Sequence, residues 1–362
     1  MNPIQKAQSL GQAVWVDYIS RRLISSGEFG RLIEMGISGV TSNPTIFEKA
    51  IAGSTAYDDT LKTLARGRKS TEEIYEALVL EDIRAAADRL RPIYDSTDGK
   101  DGYVSLEVSP LLAHDTDRTI DEGRRLFATL GRPNVMIKVQ ATPEGMAAIH
   151  LLIGKGVNVN ATLIFSLDAY YQVREAYIGG LESWIRGGND PEKVASVASF
   201  FLSRLDTVVD GLLAERIRGG EKQLEALLGK TAVASARLAY QAFKDTFYAD
   251  CFAAQVQRPL WASTGTKNPA YSDVLYVEPL IGPDTVNTMP PATINAFMDH
   301  GRARLSLERD VAEAEQTLTS LAENGISMEQ VTAKLLTDGV KQFVDSYKKL
   351  LASIEEKKGK ID

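Results

Sequence analysis

Lys138 stands in the segment NVMIKVQ (134 to 140), where Val135, Ile137 and Val139 alternate with Met136, Lys138 and Gln140. Alternate residues of an extended strand face opposite ways, so the lysine shares its face with methionine and glutamine. An amine surrounded by apolar groups loses its proton more readily than one in water, which is how a lysine becomes a nucleophile near neutral pH. Other segments offer it partners. In YVSLEVS (103 to 109), Val104, Leu106 and Val108 leave Ser105, Glu107 and Ser109 on the opposite face, and in VNVNATLIF (157 to 165) Asn158, Asn160 and Thr162 alternate with Val157, Val159 and Leu163. AVWVDYI carries Asp17 two residues beyond Trp15, GVTSN ends in Thr41 and Asn43, and RPLWAST offers Trp261 and Ser263. Carboxylates at Asp17 and Glu107 could divide the proton transfers that imine formation and carbon–carbon cleavage require. A carboxylate touching the amine would keep it charged, so Glu107 is expected to be separated from Lys138 by water or by a hydroxyl such as that of Thr162.

Side chains on separate segments act together only if the segments converge. Short Val- and Ile-rich stretches recur at 13 to 19, 39 to 43, 103 to 109, 134 to 140, 157 to 165, 194 to 202, 258 to 264 and 273 to 279, with longer stretches of helical periodicity between them. This βαβα pattern predicts an α/β fold, a (β/α)8 barrel of the TIM type. Helical excursions are expected at about 46 to 102 and 206 to 257, with C-terminal helices from about 303 broken at Asn324-Gly325, all attached to one barrel domain. Thr142-Pro143 and Asp190-Pro191 read as helix starts, Ser70 with Glu73 as a capping box, and the closing EEKKGKID as a frayed end. Both faces of a parallel barrel strand should be apolar except where a site is built. Six strands that place a polar group inward near their C-terminal ends therefore mark a site at the end where barrel enzymes do their chemistry.

Composition narrows the classes. The 362 residues are 44% hydrophobic with a net charge of −7, which disfavours a nucleic-acid binder and requires any anionic substrate to be met by a local basic site. No apolar run approaches the ~18 residues of a membrane span and the N-terminus has no signal-peptide layout, so a cytoplasmic, non-membrane protein is expected. His114, His150 and His300 lack metal-ligand spacing, and no dinucleotide or phosphate-loop motif occurs, so neither a metal nor an organic cofactor is expected. The lone Cys251 reads as a small core residue on a helix.

GVTSNPTIF (39 to 47) and NVMIKVQATPEG (134 to 145) resemble the two signatures of the transaldolase family, and VSLEVSP, NVNATLIFS and LWASTGTKNP match further blocks in the same order. The layout is similar to the longer bacterial branch. The resemblance implies a Schiff base on Lys138, acid–base work by Asp17, and Glu107 acting through a water held with Thr162. It implies donor contacts from Asn43 and Asn160, and substrate or phosphate contacts from Ser199, Arg204 and Ser263. It also implies sugar phosphates as substrates, with a monomer or homodimer as the working form. The chain departs at Gly265, where relatives place an arginine, leaving Lys267 as the nearest cation, and at Gln140, where relatives carry proline or a small residue. Two rival readings are a fructose 6-phosphate aldolase, whose members are shorter and usually have glutamine at the Glu107 position, and a sugar-phosphate-binding barrel without catalysis.

Overall fold

The computed structural model describes residues 1–249 and 254–360. Eight strands close into a parallel barrel in chain order: β1 (Gln12–Val16), β2 (Gly39–Val40), β3 (Val104–Glu107), β4 (Val135–Gln140), β5 (Val159–Ile164), β6 (Ser196–Phe201), β7 (Arg258–Ala262) and β8 (Thr285–Met289). Closure is made by β1 on β8, from Gln12 opposite Thr285 to Val16 opposite Met289. Almost every strand residue is buried, as expected when one face fills the barrel and the other lies under helices. Parallel neighbours need crossovers, and the helices Thr116–Leu130, Pro143–Ile153 and Leu167–Arg186 supply them around β3 to β6.

The shortest strand, β2, owes its place to a missing side chain. A Cβ on Gly39 would lie 2.5 Å from the indole of Trp15, so only glycine admits that ring to the barrel interior. The indole N–H then donates to Asp101 at 2.8 Å, and Asp101 pairs with Arg258 at 3.6 Å, closing the lower end of the barrel with polar groups.

Seven of the eight expected strands form where the sequence places them; the eighth does not. Residues 273 to 279 make turns leading to a short 3-10 helix, Glu278–Leu280, and the closing strand is TVNTM at 285 to 289. Val274, Tyr276 and Val277 are buried by packing on the barrel, which gives a turn the hydrophobic signature of a strand. The true strand is disguised by Thr285, Asn287 and Thr288, which are all buried and hydrogen-bonded within the structure. Asp190-Pro191 opens one turn of 3-10 helix, Pro191–Lys193, and no α-helix.

The excursion after β2 contains Pro44–Ala52, Asp58–Arg66 and Thr71–Ser96, the last opened by the Ser70–Glu73 capping box. Helices Ser203–Arg218 and Thr231–Phe247 fill the connection after β6. Cys251 lies outside the described residues. The C-terminal helix, Met328–Gly359, runs back over the upper end of the barrel against Pro44–Ala52, Thr71–Ser96 and Ser203–Arg218. Its last turn is anchored and not frayed: Lys357 donates to the carbonyls of Ile51 and Ser54 and pairs with Asp58 at 2.8 Å.

Candidate active site

Glu107 ends β3 directly opposite Lys138 of β4, and Lys138 stands opposite Asn160 of β5. In a barrel of near-continuous apolar strands, this register makes one polar layer below the C-terminal mouth. The Lys138 ammonium is 3.4 Å from Glu107 Oε2 and donates to the Ser42 carbonyl at 3.1 Å, with the Phe343 ring 5.7 Å away. No spacer separates lysine and glutamate, contrary to the sequence reading; the adjacent register of the two strands brings them into contact. Gln140, the departure that had no evident purpose, donates to Glu107 Oε1 at 2.8 Å and fixes that carboxylate from the other side. Glu107 Oε2 and Thr162 Oγ1 are buried without a hydrogen-bond partner among the described residues.

Burial pushes the Glu107 carboxyl above its ordinary range, against the opposing pull of Lys138 and Gln140. Asp17, one residue past β1, is likewise pushed up by burial, with Lys138, the Thr41 hydroxyl at 2.6 Å, Arg204 and Lys267 pulling the other way. Thr41 is held in turn by Thr288 of β8 at 2.7 Å. Burial thus favours the protonated form of both carboxyls, so each can hold a proton that a reacting group nearby needs.

Behind the lysine, Asn160 is fully buried; it donates to Ser105 Oγ at 3.0 Å and accepts from Ser199 Oγ at 2.6 Å. Thr162 keeps its regular register opposite Gln140 of β4, while β5 shifts against β6 between Ala161 and Ile164, where Leu163 takes a left-handed φ of 61°. Asn43 caps the helix Pro44–Ala52, its side-chain oxygen accepting from the Ile46 N–H at 3.0 Å. Its amide nitrogen remains for the cavity.

That cavity, about 360 Å³, opens above the lysine and is lined by Asp17, Asn43, Lys138, Ser199, Arg204, Ser263 and Lys267 among others. Seven sequence-predicted residues thus share one chamber, while Glu107, Asn160 and Thr162 sit behind its wall. Trp261 is not part of it: its indole N–H donates at 3.1 Å to the Leu280 carbonyl, which also receives the Gln12 amide, on the helix-packed side of the barrel. The turn at Ser263, with φ 56°, reverses the pleat so that the serine faces in, 2.9 Å from Ser203 Oγ. The Arg204 guanidinium lies over the Phe201 and Phe343 rings at 5.3 and 5.8 Å, and burial lowers its affinity for its proton slightly against the pull of Asp17 and Glu107. Lys267 is exposed at the rim, and Gly265 also lines the cavity.

Sequence reasoning missed Lys49, Tyr18, Gln342 and Phe343, all of which line the chamber. Lys49 falls on the helix that Asn43 caps, two residues past the signature motif, and nothing in its local pattern separates it from a solvated lysine. Gln342 and Phe343 come from the C-terminal helix, whose docking over the mouth no local periodicity records. Among the described residues no three His, Cys, Asp or Glu side chains converge as metal ligands would, and no helix is long and apolar enough to cross a membrane.

The family described as transaldolase/fructose-6-phosphate aldolase matches residues 14–354. A transaldolase of Thiobacillus denitrificans is 48% identical over 361 residues, covering 98% of this chain and 100% of that protein. Transaldolases of Trichodesmium erythraeum and Neisseria gonorrhoeae are 45% and 44% identical, covering 99% and 98% of this chain and 98% and 100% of those proteins.

Proposed function

The chain belongs to the transaldolase/fructose-6-phosphate aldolase family, and from that premise we propose that it is a transaldolase of the non-oxidative pentose phosphate pathway. It moves a dihydroxyacetone unit from sedoheptulose 7-phosphate to glyceraldehyde 3-phosphate, giving erythrose 4-phosphate and fructose 6-phosphate. We read it as a cytoplasmic enzyme, monomer or homodimer. The observation that carries the reading is the buried Lys138–Glu107 pair, 3.4 Å apart at the floor of a chamber rimmed by Lys49, Arg204 and Lys267.

The geometry supports the following steps. The pair exchanges a proton, leaving a neutral amine and a protonated Glu107. Lys138 Nζ bonds to C2 of the ketose and one amine proton passes to the former carbonyl oxygen, forming a carbinolamine. Glu107 donates its proton to that oxygen through a water shared with Thr162, the C2–O bond breaks, and water leaves behind a protonated imine. Glu107 Oε2, whose contact with Lys138 is an ion pair without a hydrogen bond, and Thr162 Oγ1, which has no hydrogen-bond partner among the described residues, support this route, being the two groups such a water would bridge. Asp17, basic because it is buried, takes the proton of the hydroxyl at C4; the C3–C4 bond breaks, the aldose departs and the electron pair passes into the enamine. A second aldose reverses these steps with the same protons. Asn43 holds donor hydroxyls, Ser199, set from behind by Asn160, lines the sugar path with Ser263, and Arg204 with Lys267 meets the phosphate.

Borohydride reduction with fructose 6-phosphate, followed by peptide mass spectrometry, tests the assignment. A dihydroxyacetone adduct on Lys138 is expected, together with exchange between the two sugar phosphates when an acceptor is supplied. An adduct accompanied by free dihydroxyacetone as the main product would mean the aldolase reading; no adduct would mean a barrel without catalysis.

A further inference from the structure

The two members of the buried pair open onto different spaces. Lys138 lines the sugar chamber, and Glu107 does not. Glu107 instead lines a second cavity of about 60 Å³ on the other side of β3, bounded by the helices Thr71–Ser96 and Thr116–Leu130 and by Tyr347 of the C-terminal helix. Its walls carry Glu72, Tyr75, Ser109 and Glu122 besides Glu107. Glu72 is exposed, whereas the Glu107 side chain is 2% exposed, so this space runs from the surface to the inner carboxylate. Polar groups stand along it among the aliphatic side chains of Val79, Leu80, Leu106 and Leu126: Glu122 accepts from the Ser109 N–H at 3.2 Å, and Tyr75 meets Tyr347 edge-on at 5.3 Å between ring centres. A volume of this size with several polar groups around it holds a short file of water molecules.

We propose that this rear cavity is a water passage, separate from the sugar entrance, through which the water released when the Lys138 imine forms, and consumed when it is hydrolysed, exchanges with bulk solvent. The inference rests on the imine chemistry proposed above. In that chemistry one water leaves C2 for each imine made, while the bound sugar and its phosphate fill the front chamber. The oxygen departs toward Glu107, whose open side faces away from the sugar. The passage gives that water an exit that does not require the sugar to leave, and the same route returns a water for hydrolysis.

Fructose 6-phosphate carrying oxygen-18 at C2 reads the passage directly, because label is lost only when the released water escapes before it re-adds. Val79 lines the cavity, and Val79→Leu and Val79→Phe fill it in two grades; the smaller adds one methylene into open space, so the fold tolerates it. With the fraction of borohydride-trapped imine and the KM unchanged, label loss per imine cycle is expected to fall about twofold for the first and about tenfold for the second. Label loss equal to the unsubstituted protein in Val79→Leu, with imine still trapped, would overturn the passage and leave the imine mechanism standing. Absence of any trapped imine in the unsubstituted protein would instead remove the mechanism beneath it.

Discussion

In the mechanism proposed above, Lys138 and Glu107 pose the question of how a nucleophile can share an ion pair with its own acid. Burial raises the carboxyl's affinity for its proton, so a swap to the neutral pair returns the desolvation cost of two charges, and Gln140 keeps the carboxylate aimed while it happens. Glu107→Gln retains the contact to Gln140 through its amide oxygen but cannot give a proton. The kcat for transfer should therefore fall by about 10² or more, with the KM for the ketose within a few-fold. Steady-state kinetics check this, and an unchanged kcat would put the acid elsewhere. The phosphate raises a second question at this scale, because Gly265 supplies no charge. Lys49 and Lys267 line opposite connections of the same chamber and make no ion pair among the described residues. Lys267→Ala and Lys49→Ala should each raise the KM for phosphorylated acceptors, by up to about tenfold for an exposed charge-assisted contact, with kcat nearly kept. A KM that moves with neither substitution would leave Arg204 as the sole anchor. These residues differ in how readable they were. Lys138, Asp17 and Asn43 sit in alternating or signature patterns, whereas Lys49 looks like any lysine on a helix face.

At the level of elements, the connection between β7 and β8 is held by phenols. Tyr276 donates to Asp206 at 2.9 Å and Tyr271 to Asp210 at 2.8 Å, tying the segment that carries Lys267 to the helix Ser203–Arg218 that carries Arg204. This explains why DVLYVEP mimics a strand: its apolar residues bury against the barrel while its tyrosine serves a carboxylate two residues past Arg204. Asp206 is raised by burial to about 6, despite the N–H of Ala232 and the phenol of Tyr276. A carboxyl whose folded value lies above its unfolded one holds more protons folded than unfolded between the two, so its contribution to stability falls as pH rises from about 4 to about 6 and is level beyond. Two units at 1.36 kcal/mol each put the ceiling at about 3 kcal/mol. Asp206→Asn keeps an oxygen for the Ala232 N–H and does not ionise, so it should gain on the unsubstituted protein over that window by about 1 to 3 kcal/mol. Thermal melts of both proteins from pH 4 to 7 measure the difference, and parallel curves would refute the assignment. Turn-forming segments of this kind defeat a strand search because their apolar residues answer to tertiary packing. β1 to β7 were legible because both faces of each are buried and their polar exceptions are few.

For the whole molecule the contrast is between a net charge of −7 and a chamber lined by Lys49, Lys138, Arg204 and Lys267. The long-range field repels an anion while the cavity attracts it, and the attraction is concentrated because the four cations converge in one concave space. The closed barrel could be anticipated from alternation and spacing, since each βα step repeats a local pattern. The cover could not: Gln342 and Phe343 belong to a helix joined to the barrel only through long-range contacts, and the same amphipathic pattern would serve a helix packed anywhere. That cover predicts how an anion and the fold are coupled. Phe343 stacks over both Lys138 and Arg204, so an occupied chamber stabilises the docked helix as well as the barrel mouth. Inorganic phosphate, which binds the folded state alone, should stabilise the protein by about 2.7 kcal/mol at a hundredfold its Kd, a rise of a few degrees in Tm. The rise should shrink on adding chloride salt, as screening acts on the rim lysines first. In Phe343→Ala the helix remains anchored through Lys357 and Asp58, so the protein should fold while the phosphate-induced rise is at least halved. Differential scanning calorimetry of the two proteins across a phosphate titration decides the matter: equal shifts would mean that the C-terminal helix covers the site without taking part in binding.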